Sequence, residues 1–357
     1  MSPTVRPDGP RVGGVRVAGV VSCLPAVRID NHSLGERFGD AAVAEIIRLT
    51  GVRTRYAALP GQTASDLCEP VARRLMDRLG WDPASVDAVI LVTQTPDCRI
   101  PATACMLQAR LGLATTAQAF DVNLGCSGYV YGLWLAFAMV HAGLGRVLLL
   151  TADTFKDVVD PHDRATALLF GDAASATALE ADPASPPAAF VLGTDGRGAR
   201  NLIIQGGGFR APVADPRMRE GGDPEKLFMD GGEVFAFTLK AVPDLVQRTL
   251  RLAGRSLEEI DAVLLHQASR MMVSHLGKKI GVAPERLPIN LDRYGNTGSV
   301  TLPLLMSDDL APRLLERGGR FCLAGFGVGW SWGAVCLDLA PLGCAETLFL
   351  GEPPPGA

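Results

Sequence analysis

The chain has 357 residues, 48% of them apolar, with a formal net charge of −4 and a pI near 5.8, enough for about two ordinary domains or one large layered unit around a substantial core. It carries no run of Lys or Arg, which excludes a nucleic-acid footprint and a polybasic membrane patch. Its eight cysteines (23, 68, 98, 105, 126, 322, 336 and 344) form no C-x-x-C pair and stand with no His at zinc-like spacing, which argues against a metal site or a secreted disulfide scaffold and fits a reducing cytoplasm.

Residues 1 to 10 read as a loose tail, and RVGGVRVAGVVSCLP, residues 11 to 25, as the first buried strand. Within it VVSC loosely resembles a lipoprotein cleavage box, but Arg16 leaves only residues 17 to 21 as an apolar run, shorter than the roughly 7 to 15 residues of a signal core. SLGERFGDAAVAEIIRLTGVRTR, residues 33 to 55, reads as a partly charged helical region. TASDLCEPVARRLMDRLG, residues 63 to 80, has helical spacing, a Thr/Ser/Asp-rich start and a terminal Gly. The β-branched run AVILV at 88 to 92 is a buried strand, PATACMLQARLG at 101 to 112 a helix opened by Pro, and AQAFDVN at 117 to 123 another strand.

DVNLGCSGYVYGLWLAFAMV, residues 121 to 140, follows, and between Asp121 and Arg146 no residue is charged. Its glycines and its polar start argue for a fully buried central helix over a membrane span. Cys126 sits at the mouth of that helix, where the macrodipole and unpaired N–H groups favour a thiolate and a depressed pKa. Taken alone, it reads equally well as a small core hydrophobe. Further buried strands follow at GRVLLLTADT (145 to 154) and in ATALLFGDAASATALE (165 to 180). The Pro-rich DPASPPAA at 182 to 189 divides the chain into halves 1 to 185 and 186 to 357, and residues 206 to 228 form a long irregular loop of the kind that makes lids. The end, GEPPPGA, reads as disordered.

Alternating helices and fully apolar strands imply an α/β architecture with both sheet faces covered. The second half repeats the first. Gly80, Asp87, Ala88 and Val89 match Gly254, Asp261, Ala262 and Val263 at one offset of 174 residues (87 to 261), and Gly145-Arg146 matches Gly319-Arg320 at the same offset. Between them GCSG at 125 to 128 matches GNTG at 295 to 298, so an internal duplication is expected. A pseudo-twofold between the halves would set a helix starting at Asn296 opposite the one starting at Cys126, and bring Cys126, Asn296 and His266 to one centre. In isolation, His266 reads as a satisfied core histidine and Asn296 as a turn or cap residue.

From GVVSCLP through PATACMLQARLG, AFDVNLGCSGYVYGL, RATALLFGDAASA, FMDGGEVFAF, LLHQAS, RYGNTGSVTLP and GFGVGWSWGA, the sequence resembles a 3-ketoacyl-acyl carrier protein synthase III of the thiolase-fold condensing enzymes. The resemblance implies a thiolase-like fold, duplicated βαβαβαββ halves in an α-β-α-β-α arrangement. It implies Cys126, His266 and Asn296 as catalytic residues, with the backbone N–H groups of Cys126 and Val328 as the oxyanion hole. A priming acyl thioester would load Cys126, and a decarboxylated malonyl thioester, held as its enolate by His266 and Asn296, would then attack it to give a β-ketoacyl product. No metal or other cofactor is implied. Implied partners are an acyl-CoA or acyl-carrier protein donor and malonyl-acyl carrier protein, in a cytoplasmic homodimer acting in fatty-acid, polyketide or other secondary-metabolite synthesis.

Around that centre, the resemblance places Ile100 as the residue that closes the partner's acyl pocket and Arg164 as a CoA contact. Ser269 stands where the family has Asn, in H-Q-A-S, a change that bears on a supporting hydrogen bond and leaves the triad intact. Met229, with Phe228, reads as pocket wall or core. Lys278 and Lys279, with Lys240 one turn beyond the family's third lysine position at Ala236, would dock the carrier protein. Glu45 and Leu49 replace the Trp and Arg that clamp CoA adenine, which points to a carrier-protein primer or an unusual CoA ester. A tailoring acyltransferase or a pyrone-forming synthase using the same acyl-Cys126, a cysteine hydrolase, and a non-catalytic partner subunit are the alternatives. The intact Asn296 favours condensation, and Val328 stands where chalcone synthase-like loops carry Pro.

Overall fold

The computed structural model describes residues 9–213, 215–218 and 222–351; the expected tails at residues 1 to 8 and 352 to 357 and part of the expected loop at 206 to 228 lie outside the described residues. Two sheets are built from β1 (Arg11–Val12), β2 (Val15–Leu24), β3 (Ala88–Val92), β4 (Gln118–Val122), β5 (Arg146–Asp153), β6 (Ala173–Ala181), β7 (Ala188–Thr194), β8 (Ala262–Leu265), β9 (Gly319–Gly327), β10 (Ser331–Leu339) and β11 (Cys344–Phe349). The helices that matter for the site are α1 (Asp40–Thr50), α2 (Ala64–Leu79), α3 (Thr103–Leu111), α4 (Gly128–His141), α5 (Gly231–Ala253), α6 (Arg270–Ile280) and α7 (Thr301–Ser307).

The first sheet runs β11-β2-β6-β5-β3-β4 and the second β1-β7-β10-β9-β8. Within them β2-β6-β5-β3 and β7-β10-β9-β8 share one pattern: two antiparallel pairings, then one parallel pairing. Strand alternation serves both faces of each sheet. Ala88, Ile90 and Val92 of β3 face the central core while Val89 and Leu91 face the outer one, as the period of two requires. Helices α4 and α7 fill the space between the sheets, through Tyr129, Leu133, Phe137, Leu302 and Leu305. Helices α2 and α3 cover the outside of the first sheet, and α5 and α6 the outside of the second. The result is the expected five-layered α-β-α-β-α arrangement.

The sequence matches between the halves have local causes. Asp87 accepts hydrogen bonds from the N–H groups of Gly145 and Arg146, and Asp261 accepts one from Arg320 N–H, so each Asp ties one turn to the strand beside its own. Gly80 and Gly254 end the equivalent helices α2 and α5 in the left-handed conformation, with φ of 63° and 68°.

Three expectations need correction. Residues 54 and 55, the end of the expected helical region, are not helical but open a strand, Thr54–Ala57, paired with Val27–Asp30. The chain at Asn296 does not start a helix there; a 3₁₀ turn at Gly298–Val300 leads into α7. Helix α4 is central but not enclosed, since Tyr131, Trp134, Leu135 and Met139 are only half-buried. The chain passes between sheets after β6, and we propose 185/186 as the boundary between repeats, across which β1 and β11 each join the other half's sheet. Among the described residues no helix is long and apolar enough to cross a membrane.

Candidate active site

The carboxyl ends of β3, β5, β8 and β9 point to one region between the halves, and the chain leaving each supplies part of a site there. Cys126 stands in the turn between β4 and α4, two residues before the helix begins, and is 9% exposed. The backbone N–H groups of Val328 and of Cys126 itself lie near its sulfur and favour the thiolate. Gly327 allows this approach, because a Cβ there would lie 2.8 Å from the sulfur.

Burial pushes the Cys126 thiol up to about 12, the two N–H groups acting against it and the Asp153 charge with it. The thiol depressed by a helix end, expected from the sequence, is therefore not found. Withdrawing a thiolate from water outweighs the partial charge of one helix terminus.

His266 follows β8 directly and is 1% exposed. Its Nδ1 lies 2.8 Å from Thr301 Oγ1, whose hydroxyl also reaches the Gly298 carbonyl at 3.1 Å. The ring meets Phe326 edge-on, with centroids 5.6 Å apart. Burial lowers its pKa to about 3, so the imidazole is neutral at pH 7. With Nδ1 occupied by Thr301, Nε2 is the nitrogen left for chemistry.

Asn296 is 4% exposed and is bridged to the first half, its N–H donating to Leu169 O and its carbonyl accepting from Gly171 N–H. The side-chain Oδ1 accepts the Gly298 N–H at 3.0 Å. That bond fixes the amide orientation and leaves the two Nδ2 protons available as donors.

Asp153, at the end of β5, is fully buried. Burial raises its carboxyl to about 7 against hydrogen bonds from Gln94 N–H, Ser299 and Thr93. It ties the turn after β3 in one half to the turn after Asn296 in the other.

Cys126, His266 and Asn296 all line one cavity of about 430 Å³. Arg164, Met229 and Ser269 line it too, together with Glu45 and Leu49 of α1 and Met271 of α6. Ser269 also caps α6, its hydroxyl accepting from Met272 N–H. Val328 is not among the residues lining this cavity, although its backbone N–H acts on the Cys126 thiol. Ile100 does not line this cavity and is 86% exposed. Lys240, Lys278 and Lys279 are exposed on α5 and α6, and Lys279 Nζ donates to Leu239 O, joining those helices. The sequence gives less sign of Thr301 and Asp153: Thr301 lies five positions after Asn296, and Asp153 ends a buried strand.

Comparison with known proteins places this geometry. Residues 120–196 match the family model for 3-oxoacyl-[acyl-carrier-protein (ACP)] synthase III, and residues 250–339 the model for its C-terminal part. The chain is 37% identical over 322 residues to the beta-ketoacyl-[acyl-carrier-protein] synthase III of Gloeobacter violaceus, covering 90% of this chain and 97% of that one. It is 34% identical over 331 residues to that of Symbiobacterium thermophilum, covering 92% and 98%. Among solved structures, a 3-oxoacyl-(acyl-carrier protein) synthase from Burkholderia xenovorans superposes with a TM-score of 0.93 at 47% identity, over 96% of this chain and 99% of the other. The priming beta-ketosynthase of the R1128 polyketide pathway gives 0.79 at 28% identity, over 95% and 100%.

Proposed function

The chain belongs to the 3-oxoacyl-[acyl-carrier-protein] synthase III family, and on that premise we propose that Cys126, His266 and Asn296 are its catalytic residues. The chemistry is a decarboxylative Claisen condensation of an acyl thioester with a malonyl thioester carried by acyl carrier protein. The observation that carries the assignment is the meeting of a buried thiol, a neutral imidazole and an amide with free Nδ2 protons on one cavity.

In the first step Cys126 Sγ attacks the acyl carbonyl carbon, and His266 Nε2 accepts the thiol proton. Nδ1–H then donates to Thr301, whose own proton goes to Gly298 O. The oxyanion takes the N–H groups of Cys126 and Val328, the donor's C–S bond breaks, and the leaving thiolate carries away the proton from Nε2. In the second step the malonyl C–CO₂ bond breaks and its electron pair moves to the thioester oxygen as an enolate, held by Asn296 Nδ2–H and by His266. Between the steps the imidazole changes tautomer, Nδ1 giving a proton to water and Nε2 taking one from it; with the Thr301 hydroxyl then turned toward Nδ1, Nε2–H serves as that second donor. The carbanion attacks the acyl carbon on Cys126, a C–C bond forms, the Cys126 C–S bond breaks, and the thiolate is reprotonated from solvent.

For the donor, we propose an acyl group on a carrier protein in preference to a CoA ester held by its nucleotide. Arg164 is the one cation among the described residues lining the cavity, and Glu45 places a carboxylate at the same rim, whereas nucleotide phosphates call for several charge-assisted donors. Lys240, Lys278 and Lys279 would meet the carrier protein. The half-buried apolar side of α4 and the exposed Ile100 support a homodimer, and eight free cysteines support a reducing compartment.

Intact-mass measurement with a panel of acyl-carrier proteins and acyl-CoAs tests the reading. An acyl adduct absent in Cys126→Ala and discharged by malonyl-acyl carrier protein is expected. No adduct with any donor would remove the assignment of Cys126, and equal loading by acetyl-CoA and acetyl-carrier protein would remove the donor preference.

A further inference from the structure

Beside the three catalytic groups, a pair of buried hydroxyls joins the nucleophile's neighbour to the loop that supplies its backbone donor. Ser127 follows Cys126 and is fully buried, and its Oγ lies 2.6 Å from Ser331 Oγ across the boundary between halves. Ser331 opens β10 and is itself 2% exposed; its hydroxyl donates to Val328 O at 2.7 Å. A hydroxyl has one proton. With that of Ser331 committed to the Val328 carbonyl, the Ser127 proton goes to Ser331 Oγ, and the chain has a fixed direction: Ser127 to Ser331 to Val328.

Val328 lies in the three-residue connection between β9 and β10, which Gly327 and Ser331 close as the last paired residues. From the outer side, Trp330 is held by reciprocal backbone bonds to Asp195, each 2.9 Å, and by stacking on Phe237 at 4.7 Å. Those contacts fix the far end of the connection. The Val328 end is fixed by the Ser331 hydroxyl, and through it by the residue next to Cys126.

We propose that Ser127 and Ser331 are positioning residues that hold the Val328 N–H against the Cys126 sulfur, so that nucleophile and oxyanion donor keep their spacing although they come from different halves of the chain. The proposal rests on the reading of Cys126 as nucleophile. An oxyanion donor works only if it is already in place when charge develops on the carbonyl oxygen, which is why small displacements cost rate and not binding.

The variants Ser331→Ala, Ser127→Ala and Ser331→Thr, in the full chain, test it. For Ser331→Ala and Ser127→Ala the rate of Cys126 acylation should fall about tenfold, part of the 10²–10³ lost when an oxyanion donor is removed outright, with the donor's KM unchanged. The pH midpoint for iodoacetamide labelling of the Cys126 peptide should rise, because an N–H that favours the thiolate is displaced. Ser331→Thr, which keeps the hydroxyl, should restore both. An unchanged acylation rate and labelling midpoint in both alanine variants would overturn the proposal, as would a loss of rate that only follows the fraction unfolded in thermal melts. The labelling midpoint reports the brace even if Cys126→Ala still takes up an acyl group, so failure of the nucleophile assignment and failure of the brace are distinguishable.

Discussion

His266 Nδ1 and Thr301 Oγ1 lie 2.8 Å apart, and the same hydroxyl reaches Gly298 O at 3.1 Å. One rotating hydroxyl thus serves either imidazole tautomer, one in which Nε2 accepts a proton and one in which it donates. Thr301→Val keeps the shape and removes this partner. Its kcat is expected to fall about tenfold or more, a part of the 10²–10⁴ that acid–base catalysis supplies, while Thr301→Ser stays near wild type. Steady-state kinetics on both variants checks this, and equal activities would remove Thr301 from the mechanism.

Asn296 is assigned to the second step only. Asn296→Ala should therefore still acquire the acyl group on Cys126, while condensation with malonyl-acyl carrier protein falls by about 10²–10³, the usual cost of an oxyanion donor. Intact mass reads the first step and product analysis the second. A variant that loses both equally would show that Asn296 holds the site together instead of acting on the enolate.

The enclosed Cys126 should be slow to alkylate. Its labelling rate is expected to keep rising above pH 9, beyond the free-cysteine midpoint of about 8.5, because burial holds the thiol near 12 and Asp153 adds to it. Asp153→Asn removes that charge and should move the labelling midpoint down. No movement would mean that the buried carboxyl is not felt at the sulfur.

Two buried groups give stability opposite pH dependences. His266 has a folded value of about 3 against 6.5 when exposed, so its contribution is present above about pH 6.5 and is lost as pH falls toward 3. Asp153 has a folded value of about 7 against 3.8, so its contribution is present below about pH 3.8 and is lost as pH rises through 7. Asp153→Asn should therefore gain stability relative to wild type between pH 4 and 7, by up to about 1.4 kcal/mol per pH unit, in urea denaturation at several pH values. A difference flat with pH would contradict a protonated Asp153.

Much of this was readable in the chain because it rests on local necessity. Gly80 and Gly254 are legible since a helix must stop somewhere, and Asp87 and Asp261 since each holds the same turn. Cys126, His266 and Asn296 stood out through motif order. What stayed hidden depends on distance in sequence: the Ser127–Ser331 contact joins residues 204 positions apart, and the Thr301 hydroxyl reads as one more polar atom at a helix start. The Cys126 thiol departs from the expected depression for a related reason. A helix terminus is visible in sequence, whereas the enclosure that outweighs it is built by chain distant in sequence, Gly327 of β9 among it.

The exchange of edge strands bears on how the protein is made. Strand β11 pairs in parallel with β2, Cys344 beside Gly19 and Phe349 beside Leu24, so the first sheet gains this edge strand from a segment synthesised after all its other strands. Until then the nascent chain exposes one full edge of β2, ready to pair with any passing strand. A chain cut short before Cys344 keeps Cys126, His266 and Asn296 and that open edge, and it is expected to aggregate before any change in its chemistry is felt.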